Sequence, residues 1–284
     1  MTTERTMTGA EAEPAAAGTH RTRMWWLVAA TPLMVLLTHY AAVIPHEFAH
    51  SIMAWLTGIK AQPFDITWGG TSPLNLLLLA DIDENVDYDA ARAAGQDWQS
   101  ALTAFAGPGI VNGGFFLLST FLIRRPWLRG RPVLANALFW FLLMNLGNLY
   151  DYVPMRVFAD HGDVYNFSAG SGVSPWFIFV IGTYVMLWAI VSFYRTSLPL
   201  GLRLSGFVVP GARAVPFVVA TAVLFGYFAN PSLLWGTDTR LQTLAALSIM
   251  AILPVVVLLW RRIVLAPFDI SIEGLIDPPD RENG

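Results

Sequence analysis

Met24–Leu56 reads MWWLVAATPLMVLLTHYAAVIPHEFAHSIMAWL, and this stretch decides the fold. From Met24 to about residue 44 it is apolar for the length a bilayer needs, and it continues in helical composition to about Leu56. His46-Glu47-Phe48-Ala49-His50 lies in that continuation. Two histidines four apart on a helix differ by about 40° in direction and about 6 Å in height, so both rings can reach one metal ion. Glu47 points to the same side, where it can act as general base on a metal-bound water. The plainer reading is a pair of buried histidines beside a snorkelling glutamate. Against it stands the cost of an ionisable triplet next to an apolar span that has no task for it.

Composition agrees with a membrane setting. Of 284 residues, 55% are hydrophobic and 13% charged, and mean hydropathy is +0.52, well above a soluble domain. Eleven Trp and eighteen Phe suit a lipid-facing surface with interfacial anchors. The net charge of −3 gives no sign of nucleic-acid binding. With no cysteine, a metal site here must use histidine and carboxylate. Lys60 is the only lysine among 17 basic residues, which reads as compositional habit rather than chemistry. Residues 1–20 have almost no large apolar side chains and are expected to be a disordered tail. The run from Met24 is too long for a removable signal peptide and reads as a signal anchor.

Six apolar stretches are long enough to span: 24–44, 98–122, 132–150, 175–194, 214–231 and 242–260. The expectation is an all-α membrane protein of about six transmembrane helices, one domain over 21–265, with a polar C-terminal tail at 266–284. Between the first two spans, Phe64-Asp65-Ile66-Thr67-Trp68 alternates and ends on Gly69-Gly70, so 62–82 reads as a small β-hairpin or re-entrant segment at the membrane edge. Loop charges alternate in sign. Arg21 and Arg23, then Arg124, Arg125, Arg129 and Arg131, then Arg195, Arg203 and Arg213, then Arg261 and Arg262 share one side. Asp81, Asp83, Glu84, Asp87 and Asp89 share the other with Asp151, Asp160 and Asp163. That pattern predicts both termini in the cytoplasm.

Two further pieces bear on a metal site. Ala106-Gly107-Pro108-Gly109-Ile110-Val111-Asn112 interrupts the second span with residues that thin a helix and free a carbonyl, for close packing or for access to a cavity. Asn145, Asn148, Asp151, Pro154, Asp160 and Asp163 then cluster after the third span. A catalytic zinc takes three protein ligands and keeps one position open, so a carboxylate from this cluster is the missing part.

HEFAH in a membrane helix, then AGPGIVN in the next, then Asn…Pro…Asp, resembles the site-2 protease family of intramembrane zinc metalloproteases, over residues 42 to about 165. The stretch from His46 to Gly70 looks most like the compact bacterial branch without a PDZ domain. The resemblance implies a Zn²⁺ cofactor held by His46, His50 and a later aspartate, water activated by Glu47, and an integral protein of a bacterial cell membrane. It further implies a transmembrane protein substrate in the lipid bilayer, with Asn112, Gly107 and Pro108 beside its channel. An unwound part of that substrate would pair along the segment carrying Gly69 and Gly70. The alternative is a non-proteolytic membrane scaffold or a transporter retaining a metal site.

The chain departs from the family at the third ligand, where Asn-x-x-Pro is usually followed within a few residues by Asp-Gly. Here Asn148, Pro154 and Asp160-His161-Gly162-Asp163 leave two choices. Asp160 has the closer spacing to Pro154, whereas Asp163 follows a glycine that permits a tight turn and can open a helix, which favours it. Asp151 is a weaker third choice, read as a solvated interfacial acid. Depth is a second departure. His46 lies 23 residues beyond Arg23, roughly 34 Å of helix, so the charge pattern puts the centre in the outer leaflet or at the outer interface. His39, one heptad before His46, shares its face; it could line a polar path to the site, but a bond to a neighbouring helix is expected.

Overall fold

Four of the long helices begin on a turn carrying proline: Pro32, Pro132, Pro175 and Pro210. Proline lacks an N–H that the first turn would leave unpaired anyway, and its fixed φ suits a helix start. The computed structural model describes residues 22–207 and 209–265, and these are mainly helical. α1 (Thr22–Ala29) meets α2 (Thr31–Leu56) at a 55° bend. Short α3 (Pro73–Leu78) and α4 (Tyr88–Ala93) follow. Then come α5 (Asp97–Leu122), α6 (Pro132–Met155), α7 (Asp163–Ser171), α8 (Pro175–Leu204), α9 (Pro210–Trp235) and α10 (Thr239–Leu258).

Among the described residues, five helices are individually long and apolar enough to cross a membrane, and six if the bent pair α1–α2 is one span. The protein is therefore all-α and membrane-embedded; four of the six expected spans fall within one of these helices, 24–44 crosses the bend between α1 and α2, and 242–260 runs two residues past the end of α10. The expected tails at 1–20 and 266–284 lie outside the described residues.

Burial sorts the helices into layers. In α6, 61% of the apolar window is buried inside the protein, against 17% in α8 and in α10. Phe139, Trp140, Leu142, Leu143 and Leu146 of α6 form the centre of the core. α2 and the second half of α5 pack against that helix. α8 turns Trp176, Phe177, Tyr184 and Trp188 outward. In water such a face would be a liability; in lipid it is the solvent-exposed face.

The segment between α2 and α4 departs from the expected hairpin. Thr67 and Asp83 make a single antiparallel bridge, each amide donating to the other's carbonyl at 2.9 Å, and no strand forms among the described residues. Asn75 is the reason. Its buried side chain donates to the carbonyls of Trp68 (2.8 Å) and Gly70 (2.7 Å) and accepts from the Asp81 amide (2.9 Å). Backbone groups that a ladder would use are thus taken by one amide, and Ser72 caps α3 in between. The loop is tied down to α2 at three points. Lys60 Nζ donates to Ser51 Oγ at 2.8 Å and to the carbonyls of Asp65 and Glu84, so the sole lysine has a definite structural task. Tyr40 Oη donates to the Leu76 carbonyl. His39 Nε2 donates to the Leu78 carbonyl at 2.9 Å, as a face-sharing histidine bonded to a neighbouring element.

Candidate metal centre

His46 and His50 project from the same face of α2, with ring centroids 4.6 Å apart and Nε2 atoms 2.9 Å apart. Asp163 is the first residue of α7, where Gly162 turns the chain at φ +84°. A β-carbon is costly in that left-handed region, so the glycine lets the carboxylate be aimed from a helix start. α7 packs against the first turns of α5, which fixes its position. Asp163 Oδ2 lies 3.2 Å from His46 Nε2 and 3.3 Å from His50 Nε2.

The hydrogen bonds behind the rings determine which nitrogen carries the proton. Asn145 Nδ2 donates to the Phe141 carbonyl at 2.8 Å, so its Oδ1 is free to accept Asn112 Nδ2 at 3.0 Å. Asn112 Nδ2 also reaches the Ala42 carbonyl at 3.3 Å. Its Oδ1 therefore faces His46 Nδ1, at 2.6 Å, and that nitrogen must donate. His50 Nδ1 donates to the Thr103 carbonyl at 2.7 Å. Both Nε2 lone pairs are thus turned toward each other and toward a carboxylate oxygen.

Three acceptor atoms at 2.9–3.3 Å repel one another unless a cation lies among them. Ligands at about 2.0–2.2 Å around a tetrahedral zinc stand about 3.3–3.6 Å from each other. The donor set fits such an ion, with the three atoms up to about 0.4 Å closer together than that spacing, and the Nδ1 bonds are of the kind that orient an imidazole toward a metal.

Gly107 explains how α5 comes so close. The chain winds into a wide π-helical turn over Ala106–Asn112. There a β-carbon on Gly107 would lie 2.2 Å from His50 Nε2 and 2.6 Å from His46 Nε2. No larger residue fits without moving the two imidazoles. Pro108 and Gly109 continue the turn into the wall of an adjoining cavity. Asn112 is wholly buried and spends its side chain on His46 and Asn145.

Other expected residues stand apart. Asp160 is exposed and accepts from His161 Nδ1 at 2.7 Å, a bond that holds its carboxyl below the usual range. Gly69 and Gly70 belong to the loop organised by Asn75. Asp151 is buried and ion-paired to Arg156 at 2.9 Å, not solvated as its interfacial position suggested. The next residue, Tyr152, stacks on the His46 ring, with Oη 3.0 Å from Nε2. Sequence reasoning passed over Tyr152, because a tyrosine after a span reads as an interfacial anchor.

Cavities flank the centre on two sides. One, of about 300 Å³, is walled by Phe105, Pro108, Gly109, Phe167 and Met186 and reaches Asp163 and Tyr152. The other, of about 350 Å³, is the more polar of the two, with His39, His46, Glu47, Asn148, Asp151 and Arg156 in its wall beside apolar residues such as Val43 and Trp235. His39 Nδ1, Asp151 Oδ1 and Arg156 Nε are buried without a protein hydrogen-bond partner. Comparison of the chain with family models, curated proteins and solved structures finds no match.

Proposed function

We propose that this chain is an intramembrane zinc endopeptidase that hydrolyses peptide bonds of membrane-embedded or membrane-proximal protein substrates. One observation carries the reading: two imidazoles with their lone pairs turned inward meet a helix-borne carboxylate, and a glutamate lies next to the first histidine. His46, His50 and Asp163 would hold the metal. When bound, zinc supplies a Lewis acid that polarises a carbonyl and acidifies water near neutral pH. Glu47 takes the proton from the attacking water onto its carboxylate and returns it to the departing amide nitrogen. The polar cavity on the Glu47 side admits water, and the apolar one on the Asp163 side receives the substrate's side chains. The resemblance of HEFAH, AGPGIVN and the later aspartate to site-2 proteases supports the same assignment. The test is zinc content and cleavage of a single-pass substrate by the purified chain. About one zinc per chain is expected, with both zinc and cleavage lost in His46→Ala; equal zinc in the two proteins would refute the assignment.

The protein is further proposed to sit in a bacterial cell membrane with both termini in the cytoplasm and the metal centre toward the outer face. Arginines on the acidic side do not disturb that charge pattern. Arg92, Arg156 and Arg240 each pair with an aspartate, Asp89, Asp151 and Asp238. Reporter fusions after Arg129 and Arg203 should read cytoplasmic, and those near Asp87 and after Asp163 extracytoplasmic. The inverse pattern would place the centre on the cytoplasmic side.

A further inference from the structure

We propose that Tyr152 is a fourth, displaceable ligand of the metal centre, closing the coordination position that a substrate must take; the proposal rests on the metal reading of His46, His50 and Asp163. Around His46 Nε2 the partners stand at comparable range: His50 Nε2 at 2.9 Å, Tyr152 Oη at 3.0 Å and Asp163 Oδ2 at 3.2 Å. Three of these four atoms form the candidate ligand set. The phenol oxygen is the fourth.

A phenol hydrogen bond to His46 Nε2 cannot coexist with a metal there. Nε2 has one lone pair, since its Nδ1 carries the proton given to Asn112. Once that pair is donated to a cation, Tyr152 has nothing on His46 to bond, and the cation is the partner within reach. The side chain is held in this place by two neighbours. Its ring lies parallel to the imidazole, at 5.5 Å and 7°. Arg156 stands on it with the guanidinium carbon 4.9 Å from the ring centre, anchored by its ion pair with Asp151. On binding, the phenol proton leaves through the polar cavity, whose wall Tyr152 shares with Glu47.

Displaceability follows from where the ring stands. Tyr152 borders the polar cavity together with His46 and Glu47, and the apolar cavity together with Asp163 and Pro108. Rotation of one side chain away from His46 therefore frees the ligand position and joins the two chambers. Water and peptide then meet at the metal only when the phenol has moved. His46, His50 and Asp163 keep hold of the ion meanwhile.

Copper provides a readout independent of proteolysis. The full chain is stripped of metal, loaded with one equivalent of Cu²⁺ and examined in the visible range, where phenolate bound to copper gives a charge-transfer band. Wild type should show the band. Tyr152→Phe should bind one copper without it. Acetohydroxamate, a small bidentate ligand, should abolish the band in wild type while copper stays bound. A copper-loaded wild type without the band, or an equal band in Tyr152→Phe, overturns the ligand assignment. A band that survives with hydroxamate bound overturns displaceability. The wild-type spectra decide the matter even if Tyr152→Phe folds poorly. A chain that takes up neither copper nor zinc sinks the metal reading itself, a result distinct from the others.

Discussion

Glu47→Gln is expected to retain its zinc and to lose proteolysis by about 10²–10⁴-fold. The substitution keeps the size and shape of the side chain and removes only its capacity to take a proton. Glu47 is not one of the three grouped donor atoms, so the ligand set of His46, His50 and Asp163 is untouched. It follows His46 on the helix and lines the polar cavity with it, the position from which a carboxylate can reach water entering toward the centre. The loss corresponds to about 3–5 kcal/mol of transition-state stabilisation. Zinc content and cleavage of a model transmembrane substrate are measured on the same preparation. Cleavage at the wild-type rate would exclude Glu47 as the base, and loss of zinc would mean that it serves the metal instead.

Asp163→Ala is expected to empty the site, and Asp160→Ala to leave most of the metal in place. Removing Asp163 leaves two imidazoles to hold the ion, which should weaken zinc by orders of magnitude, beyond the 10–100-fold typical of an outer contact. Asp163 Oδ2 stands within 3.3 Å of both Nε2 atoms, while Asp160 faces solvent and is engaged with His161. Zinc titration of the two variants against a competing chelator separates them. If Asp160→Ala alone released the metal, the loop between α6 and α7 would have to be arranged differently from the one described.

The helical architecture and half of the centre were legible in residue order alone. Apolar runs of bilayer length place the spans because a lipid interior leaves the backbone no partner but itself. HEFAH is readable for a similar reason: a helix has one period, so four residues fix the relative direction of two side chains before any tertiary contact exists. Gly162-Asp163 was readable in part, since a glycine before an acid at a helix start is local geometry.

Only the folded chain decided the rest. The alternation at 64–68 promised a hairpin, but Asn75 captures the carbonyls of Trp68 and Gly70 and the Asp81 amide, a long-reaching choice that no period reveals. Gly107 was legible as small; that its missing side chain makes room for two imidazoles is a contact between helices. The relay from Phe141 through Asn145 and Asn112 to His46 joins α6, α5 and α2, and it sets the proton on Nδ1. Tyr152 is the clearest instance. Its neighbours in sequence suggest an interfacial anchor, whereas its neighbours in space are His46 and Arg156. Local periodicity determines which way a side chain leaves its own helix, and the packing of the other helices determines what it meets there.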